Sequence, residues 1–159
     1  MDLTRLVEGL EDTTPVVRTD FSDAVAWRRV LERLATPSSV EDYEPNVAPV
    51  EDRAFTSTTG EALAKAAESI GPIGYVLLAD ERSMAEAVAA AELTLAYVDL
   101  SSYAFEDAED FNTFPGRTFR CVVEEVASIE ANLSIANMDF HEFADNVEAD
   151  GVFRGFPEE

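Results

Sequence analysis

The amino-acid sequence predicts a single α/β domain over residues 1–159, three-layered, with a mainly parallel central sheet flanked by helices. Strand-like and helical patterns alternate between residues 15 and 99, which is typical of strand–helix–strand units. The apolar runs at 73–80 and 94–99 are continuous rather than alternating, as in strands that are covered on both faces. The hydrophobic fraction of 47% is sufficient for one core in a chain of 159 residues.

The first strand and helix have clear patterns. The segment "PVVRTD" (15–20) predicts a strand, and "FSDAVAWRRVLERLA" (21–35) predicts a helix that ends before Pro37. The predicted buried face of that helix consists of Ala24, Trp27, Leu31 and Leu34. Residues 36–56 are the least regular part, an irregular loop with at best an edge strand near Val50–Phe55.

Capping boxes predict where the next two helices begin. Thr58 with Glu61 opens one helix, and Ser83 with Glu86 opens another. The second box lies between the two buried-looking strands, so it places a helix between them.

The last third of the chain is predicted to contain one strand and one helix. "RTFRCVV" (117–123) alternates like a strand, and "NLSIAN" (132–137) suggests a short extended segment. Asp139 and Glu142 form a third capping box, and the helix after it exposes His141 to solvent.

The charge of the chain is strongly negative. It has 33 Asp and Glu against 11 Lys and Arg, a formal net charge of -22. Such a surface repels phosphates and anionic lipid, which excludes direct binding to nucleic acid or membranes. Such a surface favours binding to cations or basic proteins, or else adaptation to a high-salt cytoplasm.

A reducing cytoplasm is the expected location. The single cysteine, Cys121, lies in an apolar stretch and cannot form an internal disulfide. The amino terminus shows no leader pattern, and no apolar run approaches the roughly 20 residues that span a bilayer.

Three predicted strands end in aspartate: Asp20, Asp80 and Asp99. If these strands are parallel, the carboxylates meet at one edge of the sheet, where α/β folds bind ligands. They could hold Mg²⁺, which would activate water or bind phosphate. The alternative is that each aspartate caps the helix that follows its strand.

Several known catalytic patterns are absent. A receiver domain needs a lysine at a later strand end, but the only lysine is Lys65, in a predicted helix. A Ser-His-Asp triad would depend on the single His141, and neither GxSxG nor a nucleotide-binding glycine motif occurs. Cys121 is more simply a small buried thiol than half of a Cys-His pair.

Two acidic segments are candidate contacts for a basic partner. They comprise Glu41, Asp42 and Glu44 in the first, and Glu106, Asp107, Glu109 and Asp110 in the second. The second segment lacks the spacing and central glycine of a calcium loop.

Several segments carry a resemblance to a known family: "VVRTDFSD", "VLLAD", "YVDL", "PGRTFRCV" and "NLSIANMDFHEFADNVEADGVFRGF". Together they resemble a family of small acidic bacterial proteins, largely actinobacterial, that is known only as a domain of unknown function, and "NLSIANMDF" is its most specific motif. The resemblance implies a bacterial cytoplasmic origin, and it supplies no catalytic residues to carry over to this chain. The segment "SIANMDFHEFADNV" is also similar to the closing motif of SMI1/KNR4-like immunity proteins, which are often acidic and neutralise toxins.

The sequence therefore leads to a first hypothesis, a non-catalytic cytoplasmic protein of immunity or inhibitor type that needs no cofactor and recognises a basic protein. The alternative is a Mg²⁺-dependent enzyme that acts on a small phosphorylated compound through Asp20, Asp80 and Asp99. A third possibility is a housekeeping fold whose acidity reflects a salt-adapted host.

Overall fold

A computed structural model describes residues 1–8, 12–36, 44–101 and 109–156. The helices are α1 Thr4–Val7, α2 Ala24–Ala35, α3 Gly60–Ala67, α4 Glu81–Val88, α5 Val126–Ser134 and α6 Phe140–Ala144. The strands are β1 Thr14–Arg18, β2 Val47–Val50, β3 Gly74–Ala79, β4 Thr94–Leu100, β5 Thr118–Val122 and β6 Val152–Phe153. Two short 3₁₀ helices cover Arg53–Phe55 and Val123–Glu125. In these four ranges no helix combines the length and apolar character that a membrane span needs.

The six strands form one mixed sheet in the order β2-β1-β3-β4-β5-β6. β1 is parallel to β2 and β3, and β5 is parallel to β6. β4, however, is antiparallel to both of its neighbours. The predicted α/β class with flanking helices is confirmed, but the mainly parallel pairing is not, because β4 runs the other way.

The reversal of β4 follows from the helix before it. The connection is short, because α4 begins directly after Asp80, the residue that follows β3, and only residues 89–93 separate it from β4. Side chains of α4 also hold the first residue of β4 at the edge where β3 ends. Glu86 Oε1 accepts hydrogen bonds from the Thr94 backbone N–H at 2.8 Å and from its hydroxyl at 2.7 Å. β4 therefore begins at the same edge of the sheet at which β3 ends.

Alternate strand residues contribute to two buried clusters. Val16 and Leu77 belong to the cluster that contains side chains of α2, α4, α5 and α6. Their chain neighbours Val17 and Leu78 belong to the other cluster, with side chains of α1 and α3. This is the two-residue period expected of strands with both faces covered.

Several helix and strand boundaries differ from those predicted. The edge strand expected near Val50–Phe55 lies at Val47–Val50, and Pro49 is tolerated there because β2 is an edge strand. The extended segment predicted at 132–137 is wrong, since α5 continues to Ser134. Its asparagines do bond locally, because Asn137 Nδ2 donates to Asn132 Oδ1 at 2.8 Å.

The capping residues are also partly corrected. α3 is capped by Thr59 rather than Thr58, and α4 is capped by Asp80 rather than Ser83. Ser83 is instead the third residue of α4 and completes a capping box with Asp80. The box predicted at Asp139 is confirmed at the start of α6.

Candidate functional site

A polar cavity of about 590 Å³ opens at the edge of the sheet where β1 and β3 end. Asp20 follows β1 and Asp80 follows β3, and both line this cavity. The segment 56–59 and the first turn of α3 form another wall, and Arg120 of β5 completes it. Two of the three aspartates predicted to meet at one edge therefore do so.

Asp99 lies at the opposite edge. β4 is antiparallel, so Asp99 pairs with Tyr75 at the start of β3, whereas Asp80 follows the end of β3. The five residue steps from Tyr75 to Asp80 correspond to about 16 Å along the strand. Ligand oxygens lie about 2.0–2.1 Å from Mg²⁺, so the predicted site shared by all three aspartates is wrong. The Asp99 carboxylate instead accepts hydrogen bonds from the backbone N–H and the hydroxyl of Ser101, at 2.9 and 2.6 Å.

Asp80 forms a two-pronged ion pair with Arg120. Nη1 lies 2.7 Å from Oδ2, and Nη2 lies 3.1 Å from Oδ1. The Arg120 Nε donates to the Thr94 hydroxyl at 2.9 Å, and its Nη2 also reaches the Thr94 carbonyl at 3.2 Å. This matched geometry is the strong form of an arginine–carboxylate contact, and it leaves Arg120 little capacity to bind an added anion.

Asp80 also stabilises the helix that follows it. Its Oδ1 accepts hydrogen bonds from the backbone N–H and the hydroxyl of Ser83, at 3.1 and 3.0 Å. Burial raises the pKa of Asp80, but the hydrogen bonds and charge of Arg120, with the bonds from Ser83, outweigh it and hold the pKa below its usual value. Asp80 therefore stays ionised to a lower pH than an ordinary aspartate and has a structural role, as the helix-cap alternative predicted.

The floor of the cavity depends on a close approach between α3 and the segment before β5. A Cβ on Gly60 would lie 2.4 Å from the Thr118 Oγ1 and 3.0 Å from the Gly116 carbonyl oxygen. Beside it, Thr58 is only 7% exposed and lines the cavity, yet its hydroxyl takes part in none of the hydrogen bonds among the described residues.

The electrostatic balance of the cavity is negative. Its wall carries four carboxylates, from Asp20, Glu61, Asp80 and Glu81, against one cation, Arg120. The amino termini of α3 and α4 each contribute roughly +0.5 charge, which leaves about -2. The cavity therefore suits a cation or a neutral hydrogen-bonding group better than a phosphate.

Of the seven acids proposed as partner contacts, three lie in the described part of the chain. Glu44, Glu109 and Asp110 are all exposed, as a contact surface requires. The other four predicted contacts lie outside the described residues: Glu41, Asp42, Glu106 and Asp107.

The remaining candidates for chemistry are held in structural roles. Cys121 is fully buried, and this burial raises the pKa of its thiol far above the usual value, so it does not supply a thiolate. His141 was predicted to face solvent, but its side chain is only 19% exposed, because its ring stacks on Phe111 at a centroid distance of 4.5 Å. Across ranges 1–8, 12–36, 44–101 and 109–156, no group of three or more His, Cys, Asp or Glu is arranged to hold a metal ion.

Residues 13–156 match the family described as Domain of unknown function (DUF6924). The chain belongs to this family. No curated protein and no solved structure matches it. The resemblance to a family of unknown function is thus confirmed. The expected bacterial origin and the likeness to immunity proteins stay predictions.

In this DUF6924 chain, pattern reasoning missed the partner of Asp80. Arg120 lies 40 residues further along the chain, and only the register of β4 with β5 brings it to Asp80. Glu61 and Glu81 were also missed as cavity residues. Each stands in the first turn of a capped helix, which was a usable signal.

Proposed function

We propose that this protein is a non-catalytic binding domain, of inhibitor or immunity type, that recognises a basic protein partner. One observation supports this above all. The cavity at the end of β1 and β3 presents Asp20, Glu61 and Glu81, while Arg120, the only cation that the described residues place in its wall, is held by Asp80. A lysine or arginine of a partner would supply the missing positive charge.

The distribution of basic residues supports the same function. Among the described residues, six of the ten arginines form ion pairs with carboxylates: Arg18, Arg33, Arg82, Arg117, Arg120 and Arg154. Arg154 alone pairs with three acids: Glu92, Glu148 and Asp150. Much of the positive charge is thus used within the molecule, and the excess acid is left to set the field outside it.

The exposed acids at 44 and 109–110 would act at longer range than the cavity. Exposed charges mainly accelerate association and select partners of opposite charge, whereas buried contacts set how long a complex lasts. We therefore assign the partner's approach to these acids and the anchoring of a basic side chain to the cavity.

A capture experiment with three forms of the protein tests this division. The cavity variant carries Asp20→Asn, Glu61→Gln and Glu81→Gln, which removes three charges and keeps the side-chain shapes. The matched control carries Glu8→Gln, Glu32→Gln and Glu68→Gln, at exposed positions away from the cavity. We expect wild type and control to retain the same basic protein at moderate salt, and the cavity variant to lose it.

Two outcomes contradict the proposal. If both triple variants lose the partner equally, bulk charge rather than the cavity is responsible. If all three forms retain it equally, or wild type retains no basic protein, recognition through this cavity is wrong.

A Mg²⁺-dependent enzyme acting on a small phosphorylated compound is the second candidate, and one observation favours it: Asp20 and Asp80 line the same cavity. Carboxylate oxygens from both, with waters, would form a partial magnesium site. The ion pair of Asp80 with Arg120 and the negative balance of the cavity weigh against a phosphorylated substrate.

A thermal-shift titration with Mg²⁺ at fixed ionic strength separates the two candidates. Binding to the folded state alone raises the melting temperature. For the enzyme, Asp20→Asn must abolish the stabilisation, while Asp99→Asn, at the other edge of the sheet, must leave it intact. An equal response from wild type and both variants means that Mg²⁺ only screens the charge of -22.

A further inference from the structure

A second cavity, of about 430 Å³, lies at the opposite edge of the sheet, where β1 and β3 begin. Thr14 opens β1, Tyr75 belongs to β3, and Asn46 immediately precedes β2. α5 closes the cavity with Glu130 and Ser134, one helical turn apart on the same face.

Glu130 occupies a position that the helix pattern reserves for an apolar residue. α5 buries Val126, Ile129 and Leu133, and Glu130 lies within that stripe, only 7% exposed. Burial raises the pKa of Glu130 above its usual value, and the Asn46 backbone N–H is the one group that lowers it.

No part of the chain supplies a counter-ion for this carboxyl. None of the ion pairs among the described residues includes Glu130. The segments 9–11, 37–43, 102–108 and 157–159 contain no Lys, Arg or His. Buried charges in proteins are otherwise paired or bound to a cation, because an isolated one is costly to desolvate.

The surroundings of Glu130 offer acceptors and further negative charge. The Tyr97 hydroxyl is fully buried near Glu130 and, in the described part of the chain, has no hydrogen-bond partner of good geometry, although Thr14 lies close. Asp12 adds a second carboxylate to the cavity wall, and no Lys or Arg lines it. Asp99 and Asp139 act on Tyr75 from the neighbouring β4 and from the start of α6.

We propose that this cavity binds a primary ammonium group, with the Glu130 carboxylate as its counter-ion. Thr14, Tyr75 and Ser134 line the same cavity, and each carries a hydroxyl oxygen that can accept a hydrogen bond from an ammonium N–H. A divalent metal ion would need a group of ligands arranged around one point, and none of the described residues form a group of three or more His, Cys, Asp or Glu that could hold one. A guanidinium would need a wider, planar set of acceptors.

The ammonium group comes from either of two sources, a free alkyl amine or a lysine side chain. The site lies at the other edge of the sheet from the cavity of Asp20 and Asp80, so its success or failure is independent of the function proposed above.

The test uses n-butylamine as the probe and 1-butanol as a neutral analogue of the same length, at fixed ionic strength and neutral pH. Backbone amide NMR shifts follow the titration. We expect saturable shifts from butylamine that are concentrated at Gly74, Tyr75 and Ser134, and none from butanol. Absent or scattered shifts overturn the proposal with the wild-type protein alone.

Two variants then assign the counter-ion. Glu130→Gln keeps the size of the side chain and should weaken butylamine binding at least tenfold. Glu32→Gln removes one exposed carboxylate from α2 and should leave the affinity unchanged. If both variants weaken butylamine binding equally, binding depends on net charge alone and the proposed site is wrong.

A lysine peptide with blocked termini distinguishes the sources. If it competes with butylamine at similar concentrations, the ligand is a protein side chain. If only the free amine binds, the ligand is a small molecule. Either result supports an ammonium site at Glu130, and failure of both probes removes it.

Discussion

Asp80 and Glu130 are two largely covered carboxyls at opposite edges of one sheet, and their environments differ in every respect. Asp80 is 31% exposed and binds Arg120 through two hydrogen bonds and Ser83 through two more. Glu130 is 7% exposed, and no cationic side chain pairs with it in the described residues. The pKa of the first lies below its usual value and that of the second above it.

This difference separates stability from function. A carboxylate whose oxygens already have hydrogen-bond partners contributes to folding stability and has little capacity left to bind a ligand. A buried carboxyl without a counter-ion costs folding free energy, and a folded protein retains such a group most readily where something binds to it. Changes at the two positions should therefore affect stability in opposite directions.

The largest effect is expected from Arg120→Met. It leaves Asp80 partly buried without its cation and should lower the free energy of unfolding by about 2–4 kcal/mol. Urea unfolding at neutral pH measures it. Arg33→Met is the control, because Arg33 and Glu124 form an exposed pair, 40% and 45% accessible, worth about 0–1 kcal/mol.

A double-mutant cycle with Asp80→Asn sharpens this result. If the pair acts as described, the double variant loses clearly less than the sum of the two single losses. Additive losses would mean that Arg120 stabilises the sheet through Thr94 rather than through Asp80.

The glycines at the two edges should also behave differently. Gly60→Ala brings its Cβ to 2.4 Å from Thr118 Oγ1 and 3.1 Å from a Val98 methyl carbon. We expect a loss of about 1–3 kcal/mol from this overpacking, measured by thermal unfolding. Adding Thr118→Ala removes the closest contact and should recover part of the loss. Absence of any recovery would point to helix–backbone contact at Gly116 instead.

Gly74 lies at the same edge of the sheet as Glu130. A glycine is needed there because of the positive backbone angle φ, not because a side chain would lack space. Its φ is +96°, and a Cβ there would meet nothing within 4 Å. Gly74→Ala should cost about 1–2 kcal/mol of left-handed strain. Gly74→Asn should cost less, since Asn adopts that region more readily. Equal losses for Ala and Asn would contradict the conformational explanation.

Local patterns were sufficient to predict most of the secondary structure. The apolar runs at 73–80 and 94–99 form strands, and the helix after Asp23 buries Trp27 and Leu34 as its period indicates, although Ala24 is exposed. The direction of β4 could not be predicted in this way. It depends on the short connection through α4 and on the bonds between Glu86 and Thr94, which a strand pattern does not encode.

The candidate site residues also differ in whether local patterns were sufficient to predict them. Asp20 and Asp80 meet as predicted, because β1 and β3 are adjacent and parallel. Arg120 was missed because strand register alone brings it to Asp80. Glu130 carried a readable signal, an acid within an apolar stripe. That signal was lost because 132–137 was predicted as extended, which hid the helix that contains it.

The smallest stability effect, and the only gain, is expected from Glu130→Gln. Replacing a buried carboxylate that lacks a counter-ion by a neutral side chain of the same size should stabilise the ligand-free protein by about 1 kcal/mol at neutral pH. Thermal unfolding of wild type, Glu130→Gln and the exposed control Glu32→Gln measures it, and the control should differ little from wild type. Destabilisation by Glu130→Gln would mean that the carboxylate has a stabilising partner after all.

The pH dependence of this gain fixes its cause. The folded pKa of Glu130 lies above the ordinary value of 4.5, so between the two values the folded state binds more protons than the unfolded state. Wild type therefore loses stability as pH rises through that window, and the advantage of Glu130→Gln should vanish below about pH 4.5.

The stability contribution of Asp80 depends on pH in the opposite direction. Its contribution is complete above the ordinary value of 3.8 and is lost as pH falls through its lowered pKa. If saturating butylamine then removes the advantage of Glu130→Gln at neutral pH, the same carboxyl carries both the stability cost and the ligand.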